Sequence, residues 1–430
     1  MKLKKLTTIM YLIVTLLLPV GLTGIGLIGD RTFTNIALSD VLIAPLFCTL
    51  VINASQKNNF LKLTYSEKNY VLYTMLFVFI ALISFINILR FDGQMLISVF
   101  NLFKLCICFA YGFVFMIYFE NCNQKEWETF IEYALVSGLV FSFSRILGAV
   151  LFMFGIDSVF IDNYVNTYRA TGLQEDPNTA SIFQIMTISY ALLYLNIKKV
   201  SKLKGYICIA FLLVGVLTTG SKSGILTLVT TSIIISILLL ISRMRKIIVR
   251  LMPIIIIGIL SLLLLVATTT IFDTILSRLT DLSSGNAATA MTSRNFQWEA
   301  AIKLIIDNPI NLLMGIGIGQ FEHVANEYNL YTVSYSVHNT YLSLLVECGF
   351  FLFALVVLFF VYLISRLSFN VMHNNMFSLC ALWGIISIAI FMASMNFQNN
   401  RMAYVFIIFI CCSLGRIRKK ELSMESEKND

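Results

Sequence analysis

The stretch from residue 96 to residue 119 reads LISVFNLFKLCICFAYGFVFMIYF and carries one charged side chain, Lys104. A helix of about 20 mostly apolar residues is long enough to cross the hydrocarbon core of a bilayer. Inside that core the backbone polar groups must bond to one another, which a helix achieves within a single segment. The stretch therefore predicts a transmembrane helix.

Similar runs recur along the chain and make lipid its main solvent. Of the 430 residues, 58% are hydrophobic and 13% are charged, whereas about a quarter of a soluble domain is charged. We therefore predict an all-α integral membrane protein, a single polytopic domain over residues 1–430 with about twelve transmembrane helices. The predicted spans are 9–28, 35–53, 70–89, 96–119, 131–154, 180–196, 206–219, 224–241, 252–270, 339–365, 376–395 and 402–415.

The positions of lysine and arginine predict the orientation. Most of the 31 lie in the N-terminal segment, in every second loop and after residue 415. Positively charged loops stay in the cytoplasm, so both termini are expected there, with residues 416–430 as a basic cytoplasmic tail. The net charge of +8 comes from these loops. There is no basic helix with interleaved aromatic residues, which argues against a nucleic-acid partner.

Two of the predicted outer segments are long, namely 155–179 and 271–337. The second is the large extracytoplasmic loop between predicted spans 9 and 10. Within it, FQWEAAIKLIID (residues 296–307) predicts an amphipathic helix, with Ser293 as its N-cap and Pro309 beyond its end. Because the cytoplasmic loops are short, chemistry is expected on the outer face or inside the bundle.

Four basic residues lie in polar, turn-rich outer segments. They are Arg169 in YRATGLQEDPNTAS, Lys222 in TTGSKSG, Arg294 in TSRNFQW and Arg401 in NFQNNR. The arginine fork suits phosphate because it makes bidentate, charge-assisted bonds. Arg169 and Lys222 stand beside glycine and serine or threonine at helix mouths, where backbone N–H groups point at an anion. The alternative for each is a contact with lipid headgroups or with nearby carboxylates.

His338 and Glu347 are candidates for acid–base chemistry. His338 begins the tenth predicted span in SVHNTYLSLLVECG, where a histidine can act as a general base or anion ligand near neutral pH. The alternative is a capping or interfacial histidine. Glu347 lies deeper in the same apolar run, where an ionisable group faces the bundle interior by default. The alternative is a structural partner for Lys104.

Lys104 and Arg145 lie at similar depth in neighbouring predicted spans. Two like charges in lipid are costly unless they face water or share an anion. They could line a slot for a lipid phosphate or pair separately with carboxylates, and both interpretations remain open.

The segment 315–319 (GIGIG) lacks the strand–turn–helix setting of a dinucleotide-binding motif and indicates close backbone packing or a turn. Neither D-x-D nor H-x-x-x-H occurs, so no metal and no cofactor are expected. A pyrophosphate leaving group would then be neutralised by arginine and lysine alone.

Three parts of the chain together carry a resemblance to a known family. They are RATGLQEDPNTAS in one outer segment, TTGSKSG at the mouth of the eighth span, and SRNFQWEAAIKLIIDNPINLLMGIGIGQF followed by HNTYLSLLVECGF. The chain resembles the O-antigen ligase and O-antigen polymerase superfamily of bacterial envelopes, mainly over residues 165–350. The part from Arg294 to Gly349 is the most specific.

The resemblance implies a membrane glycosyltransferase bundle of the GT-C type in the bacterial cytoplasmic (inner) membrane. Such enzymes move a glycan from undecaprenyl pyrophosphate to an acceptor hydroxyl, inverting the anomeric centre without a metal. It implicates Arg169 and Arg294 in binding the pyrophosphate and places His338 in the active site. The family usually has arginine where this chain has Lys222, and lysine keeps the charge but loses the bidentate fork.

The expected activity is the polymerisation of lipid-linked oligosaccharide repeat units into a capsular polysaccharide, exopolysaccharide or O-antigen. His338 is the first choice for the base and Glu347 the second. A flippase and a chain-length regulator are the expected protein partners. One alternative is a ligase that transfers the glycan to another acceptor. A transporter or flippase is the alternative from another class, against which stand the long outer loop and the lack of detectable repeat symmetry.

Overall fold

The computed structural model describes residues 2–22, 36–57, 65–90, 95–156, 158, 160–162, 169–174, 176–198, 202–242, 294–327, 336–397 and 399–429. The predicted ninth span, 252–270, and the predicted N-cap Ser293 lie outside these residues.

Helices dominate the described residues. They are α1 Lys2–Leu17, α2 Leu38–Lys57, α3 Tyr65–Ile86, α4 Met95–Asn121, α5 Gln124–Met153, α6 Pro177–Lys198, α7 Lys202–Leu217, α8 Lys222–Ile241, α9 Arg294–Ile306, α10 Pro309–Met314, α11 Phe321–Glu327, α12 Thr340–Cys348, α13 Phe350–Met372, α14 Met376–Met392 and α15 Arg401–Asn429. A 3-10 turn, Asn87–Arg90, follows α3. Two antiparallel strand pairs complete the fold: β1 Gly21–Leu22 with β2 Ile36–Ala37, and β3 Ile161–Asp162 with β4 Arg169–Ala170.

Within the described residues, six helices are long and apolar enough to cross a membrane. They cover Lys68–Leu89, Met95–Asn121, Gln124–Met153, Pro177–Ile197, Lys222–Ile241 and Phe350–Met372. Shorter apolar helices lie at Leu6–Leu17, Ser39–Thr49, Leu203–Leu217 and Met376–Met392. The prediction of a helical, multi-pass membrane protein is confirmed.

Aromatic packing joins consecutive helices and also brings α15 against α6, which is far from it in the chain. The ring of Phe130 in α5 lies 4.8 Å from that of Phe119 in α4 and 5.8 Å from that of Tyr190 in α6. The ring of Phe409 in α15 lies 5.6 Å from that of Tyr190. In addition, α6 packs against α5, α7, α8 and α14. Because α6 is held from several sides, the motif RATGLQEDPNTAS, which runs into the start of α6, is held in place as well.

The first predicted span, 9–28, is wrong at its C-terminal end. Helix α1 ends at Leu17, and Gly21 and Leu22 form strand β1. Pro19 explains the early end, because a proline disfavours helical backbone at the residue before it. Gly21 then adds a residue of low helix propensity.

The tenth predicted span, 339–365, is not one helix. Helix α12 ends just before Gly349, and α13 begins just after it. Gly349 has φ 82°, and a Cβ atom there would lie 2.3 Å from the carbonyl oxygen of Leu313, so only glycine fits. Helix α12 has 9 residues and is too short to cross a bilayer, which leaves α13 as the candidate span.

Helices α9, α11 and α12, together with Ile316 and Val337 from the connecting segments, share a small apolar core on the predicted outer side. The core consists of Ala300, Ala301, Leu304, Ile316, Phe321, Val324, Ala325, Val337 and Val346. The predicted helix is confirmed as α9, with exposed Glu299 and Lys303 and with Ala300, Ala301 and Leu304 buried, although Ile302 and Ile306 are exposed as well. Pro309 opens α10 behind the N-cap Asn308. These short helices form a compact unit against which His338 is positioned.

Candidate functional site

The motif RATGLQEDPNTAS folds back on helix α5. The N–H of Thr171 donates to the carbonyl oxygen of Phe160 at 3.1 Å. Arg145, fully buried in α5, donates to the side-chain oxygen of Gln174 at 3.1 Å and to the carbonyl of Ala180 at 3.0 Å. Arg145 therefore holds both the turn and the first residues of α6.

The start of α6 carries its own acidic cap. Asp176 accepts hydrogen bonds from the N–H of Thr179 at 2.7 Å and from its hydroxyl at 2.8 Å. The side-chain amide of Asn178 donates to the other Asp176 oxygen at 3.1 Å. This cap satisfies N–H groups that a helix start leaves without partners and fixes the orientation of the Asn178 amide.

Asn178 joins the first two sequence motifs. Its side-chain oxygen accepts a hydrogen bond from the Arg169 guanidinium at 2.9 Å and another from the Ser221 hydroxyl at 2.8 Å. Ser221 is also the N-cap of α8 and accepts from the N–H of Gly224 at 3.0 Å. Lys222 is the first residue of that helix. Arg169, Lys222 and the positive N-terminal end of α8 are therefore brought together.

Helix α9 brings the third motif next to His338. Arg294 is the first residue of α9, and Trp298 follows about one turn later. The indole N–H of Trp298 donates to the carbonyl of Val337 at 3.0 Å. Since Val337 immediately precedes His338, the beginning of α9 and the histidine lie in the same neighbourhood.

His338 lies at a constrained corner of the backbone. Its φ of 51° falls in the left-handed region, which non-glycine residues rarely adopt. Such corners are costly, persist where surrounding structure imposes them and cluster at functional sites. The side chain is half-buried, so the residue keeps some access to its surroundings while its backbone is constrained.

The residues after His338 are bound to the loop between α14 and α15. The N–H of Asn339 donates to the Asn396 side chain at 3.1 Å. The hydroxyl of Thr340 donates to the carbonyl of Met395 at 2.6 Å and accepts from the N–H of Phe397 at 2.8 Å. Asn339 also caps α12. The hydrogen bonds of this loop explain how the backbone at the histidine is held.

Helix α14 connects the two groups of candidate residues. The Trp383 indole donates to the carbonyl of Ile185 in α6 at 3.1 Å. The hydroxyls of Ser387 and Thr231, the latter in α8, lie 3.2 Å apart. One helix thus contacts both α6 and α8, which carry the Asn178 group, and leads directly into the loop that holds His338.

Glu347 is bound to the glycine-rich segment. Its carboxylate accepts hydrogen bonds from the backbone N–H groups of Gly319 and Phe321, and the Ser343 hydroxyl lies at 3.4 Å. The backbone carbonyl of Glu347 accepts from the N–H of Gly317 at 2.9 Å. A Cβ atom at Gly315 would lie 2.2 Å from that same carbonyl oxygen. The predicted close backbone packing of GIGIG is confirmed.

Burial changes the acidity of Glu347. Removal from water raises the pKa of this carboxyl to about 7, against the lowering effect of its hydrogen bonds to Gly319, Phe321 and Ser343. The predicted alternative partner, Lys104, does not take part in these contacts. The carboxyl bonds instead to the backbone N–H groups of Gly319 and Phe321, at the junction of the glycine-rich segment and α11. Its contacts are those of a residue that holds a loop in place.

Lys104 and Arg145 have different surroundings. Arg145 bonds to Gln174 and Ala180. Lys104 interacts electrostatically with Arg401, whose guanidinium forms a 3.0 Å ion pair with Asp40. The contacts of the two cations therefore do not favour a shared lipid-phosphate slot, which stays a prediction.

Two connecting residues have no distinctive signal in the sequence. Asn178 follows a proline at a helix start, which suggests capping but gives no sign of its bonds to Arg169 and Ser221. Asn396 is remote in sequence from the residue whose N–H it binds, Asn339. Contacts of this kind depend on how the helices are arranged in three dimensions.

The fold and the candidate site define a multi-pass helical membrane protein with clustered basic residues and a constrained histidine. Residues 207–357 match the family model described as O-antigen ligase, and this confirms the resemblance to the O-antigen ligase and polymerase superfamily. The matched part contains Lys222, Arg294, His338 and Glu347, whereas Arg169 precedes it. The family implies a membrane enzyme that transfers glycans. No curated protein and no solved structure matches the chain.

Proposed function

We propose that this protein polymerises undecaprenyl-pyrophosphate-linked oligosaccharide repeat units into a capsular polysaccharide, exopolysaccharide or O-antigen. The observation that carries the proposal is the shared bond at Asn178, whose side-chain oxygen accepts from both Arg169 and Ser221. It brings two cationic motifs to one helix start. A pyrophosphate needs fixed positive charge of this kind, because no protein dipole alone balances its charge.

The donor's pyrophosphate binds Arg169, Lys222 and Arg294 in this proposal. The N-terminal end of α8 adds backbone N–H groups and a favourable dipole. Asn178 holds Arg169 from one side, so the guanidinium is positioned before the donor arrives. Preorganised charge of this kind acts most strongly on the leaving group, where negative charge develops during the reaction.

His338 is the proposed general base. The acceptor hydroxyl oxygen attacks the anomeric carbon of the donor sugar, and its proton passes to the neutral imidazole. The bond between that carbon and the pyrophosphate oxygen breaks, so undecaprenyl pyrophosphate leaves and the anomeric configuration inverts. The reaction is proposed to need no metal. Glu347 remains the second choice, and its bonds to Gly319 and Phe321 favour His338.

The finer description of the fold belongs to the same proposal. We assign the chain about twelve spans in a GT-C-like bundle in the bacterial inner membrane, with both termini in the cytoplasm and residues 271–337 outside. Two exposed lysines test the orientation. In a background without native cysteines, a membrane-impermeant thiol reagent should modify Lys303→Cys and leave Lys125→Cys unmodified in intact spheroplasts. The opposite labelling would reverse the orientation.

The decisive experiment is incubation of the purified protein with its lipid-linked repeat unit. A ladder of products on a gel, each longer by one unit, supports the polymerase. A single product formed only when a second acceptor is added supports a ligase, because the two reactions differ only in the acceptor. Movement of the lipid-linked unit across proteoliposomes without bond formation would support a transporter. A flippase that delivers the donor and a regulator of chain length are the proposed protein partners.

A further inference from the structure

The backbone on both sides of His338 is held by side chains from two different elements. The indole N–H of Trp298 in α9 donates to the carbonyl oxygen of Val337 at 3.0 Å. The side-chain oxygen of Asn396, in the loop between α14 and α15, accepts from the N–H of Asn339 at 3.1 Å. The first bond holds the peptide unit that enters His338, and the second holds the peptide unit that leaves it.

Holding these two peptide units determines the direction of the histidine side chain. Each peptide unit is planar, so the backbone rotations that relate the two units are φ and ψ of His338. When both planes are held, these rotations are set, and with them the direction of the Cα–Cβ bond. The φ of 51° lies in the left-handed region, which non-glycine residues adopt where the surrounding structure imposes it. The two side-chain bonds supply such a constraint.

Both holding side chains are attached to well-packed parts of the fold. The loop that carries Asn396 is bound by Thr340, whose buried hydroxyl donates to the carbonyl of Met395 at 2.6 Å and accepts from the N–H of Phe397 at 2.8 Å. Trp298 packs against the small apolar core that α9 shares with α11 and α12. The direction of His338 is therefore set jointly by α9 and by the loop between α14 and α15.

We propose that Trp298 and Asn396 are positioning residues that orient His338 toward the acceptor hydroxyl. This inference rests on the proposed role of His338 as the general base. A base must lie within hydrogen-bond distance of the proton that it removes, and a displacement of about 1 Å can lower a rate about 10²-fold. Both residues act on turnover through the imidazole, and donor binding does not depend on them.

Two substitutions each remove one of these bonds with a small change of shape. Trp298→Phe loses the N–H donor, and Asn396→Leu has a similar size without the acceptor oxygen. Each should lower kcat for glycosidic bond formation by about 10- to 100-fold and leave the donor's Kd close to that of wild type. Asn396→Asp keeps an acceptor oxygen and should restore most of the turnover.

Trp127→Phe is the matched control for the tryptophan variant. The indole of Trp127, near the start of α5, donates to the hydroxyl of Ser413 in α15 at 3.1 Å. This bond is of the same kind and lies at the predicted cytoplasmic end of the bundle. The control should turn over like wild type.

A double-mutant cycle with His338→Gln separates positioning from a general structural role. If the two residues act through the imidazole, Trp298→Phe and Asn396→Leu should each change the slow residual turnover of His338→Gln by less than about twofold, because residues that act as one unit are not additive. A structural role predicts the same loss in both backgrounds, and that result would overturn the proposal.

Hydrogen exchange tests the same contact independently of turnover. Asn396→Leu should raise the exchange rate of the Asn339 amide, whereas Trp127→Phe should leave it unchanged. An unchanged rate in Asn396→Leu would overturn the proposal and leave the proposed function intact. Unfolding of both Trp298→Phe and Asn396→Leu would identify a structural role and overturn it as well.

Turnover distinguishes failure of this proposal from failure of the proposed function. Full turnover of Trp298→Phe and Asn396→Leu, beside a slow His338→Gln, would overturn the positioning proposal alone. Full turnover of His338→Gln would contradict the assignment of the base, and the positioning proposal would fall with it.

Discussion

Replacement of Asn178 by alanine tests whether one side chain joins the two cationic motifs. The change removes the acceptor of a charged hydrogen bond from Arg169 and of a neutral one from Ser221. Such bonds contribute about 1.5–3 and about 0.5–1.5 kcal/mol respectively. If even 1.4 kcal/mol of this sum appears in donor binding, affinity falls about tenfold.

Titration of the purified variant with the lipid-linked repeat unit measures the donor's Kd, and a thermal unfolding curve monitors the fold. Asn121→Ala is the matched control, because that asparagine is exposed and, among the described residues, its side chain donates to the carbonyl of Ile117 in its own helix. Ser221→Ala should affect donor binding less than Asn178→Ala. The two changes combined should fall short of the sum of their separate effects, since both act through one oxygen.

Two results would refute this reasoning about Asn178. One is a donor affinity of Asn178→Ala equal to that of wild type, at equal protein abundance. The other is strict additivity of the two substitutions, because independent sites add to within about 0.3–0.5 kcal/mol. Either result would mean that the shared oxygen does not connect the motifs energetically.

Three further residues have distinct expected outcomes. His338→Gln should slow chain formation by about 10²–10⁴-fold with donor binding retained in a filter assay, and long chains made by this variant would move the base to Glu347. Lys222→Arg should keep or raise turnover and Lys222→Ala should lower it, whereas a fully active Ala variant removes this lysine from the site. For Glu347, burial raises the folded-state pKa from 4.5 to about 7, so the fold favours the protonated form. The free energy of unfolding of wild type should therefore fall by up to about 3 kcal/mol, relative to that of Glu347→Gln, as the pH rises from 4.5 to about 7. If the free energies of unfolding of the two proteins change equally with pH across this range, the assignment is contradicted.

The sequence predicted which segments form apolar helices and which helix lies outside the apolar runs. The predicted span 96–119 corresponds to α4, Met95–Asn121, and the predicted span 180–196 to α6, Pro177–Lys198. The amphipathic pattern predicted α9 outside the apolar runs. These predictions succeed because the backbone in lipid must satisfy its own hydrogen bonds, so hydropathy along the chain directly reports helices.

Two helix boundaries needed more than hydropathy. The apolar run through Leu17 continues beyond Pro19, yet the helix ends and a strand begins. The apolar run after His338 continues through Gly349, yet the chain bends there because the Leu313 carbonyl approaches too closely for a side chain. A hydropathy average over a window does not detect either a proline effect at one residue or a contact with a distant segment.

The candidate residues were predicted from the sequence, because basic side chains beside glycine and serine at helix starts can bind anions. Their grouping was decided only by the tertiary structure. Asn178 connects Arg169 to Ser221, and Asn396 holds the backbone beside His338. The same structure gives Lys104 and Arg145 different contacts, whereas their similar predicted depth left a shared phosphate slot and separate pairing equally open. Hydropathy and motif spacing describe each helix along its own axis, whereas contacts between side chains depend on how the helices rotate and pack against one another.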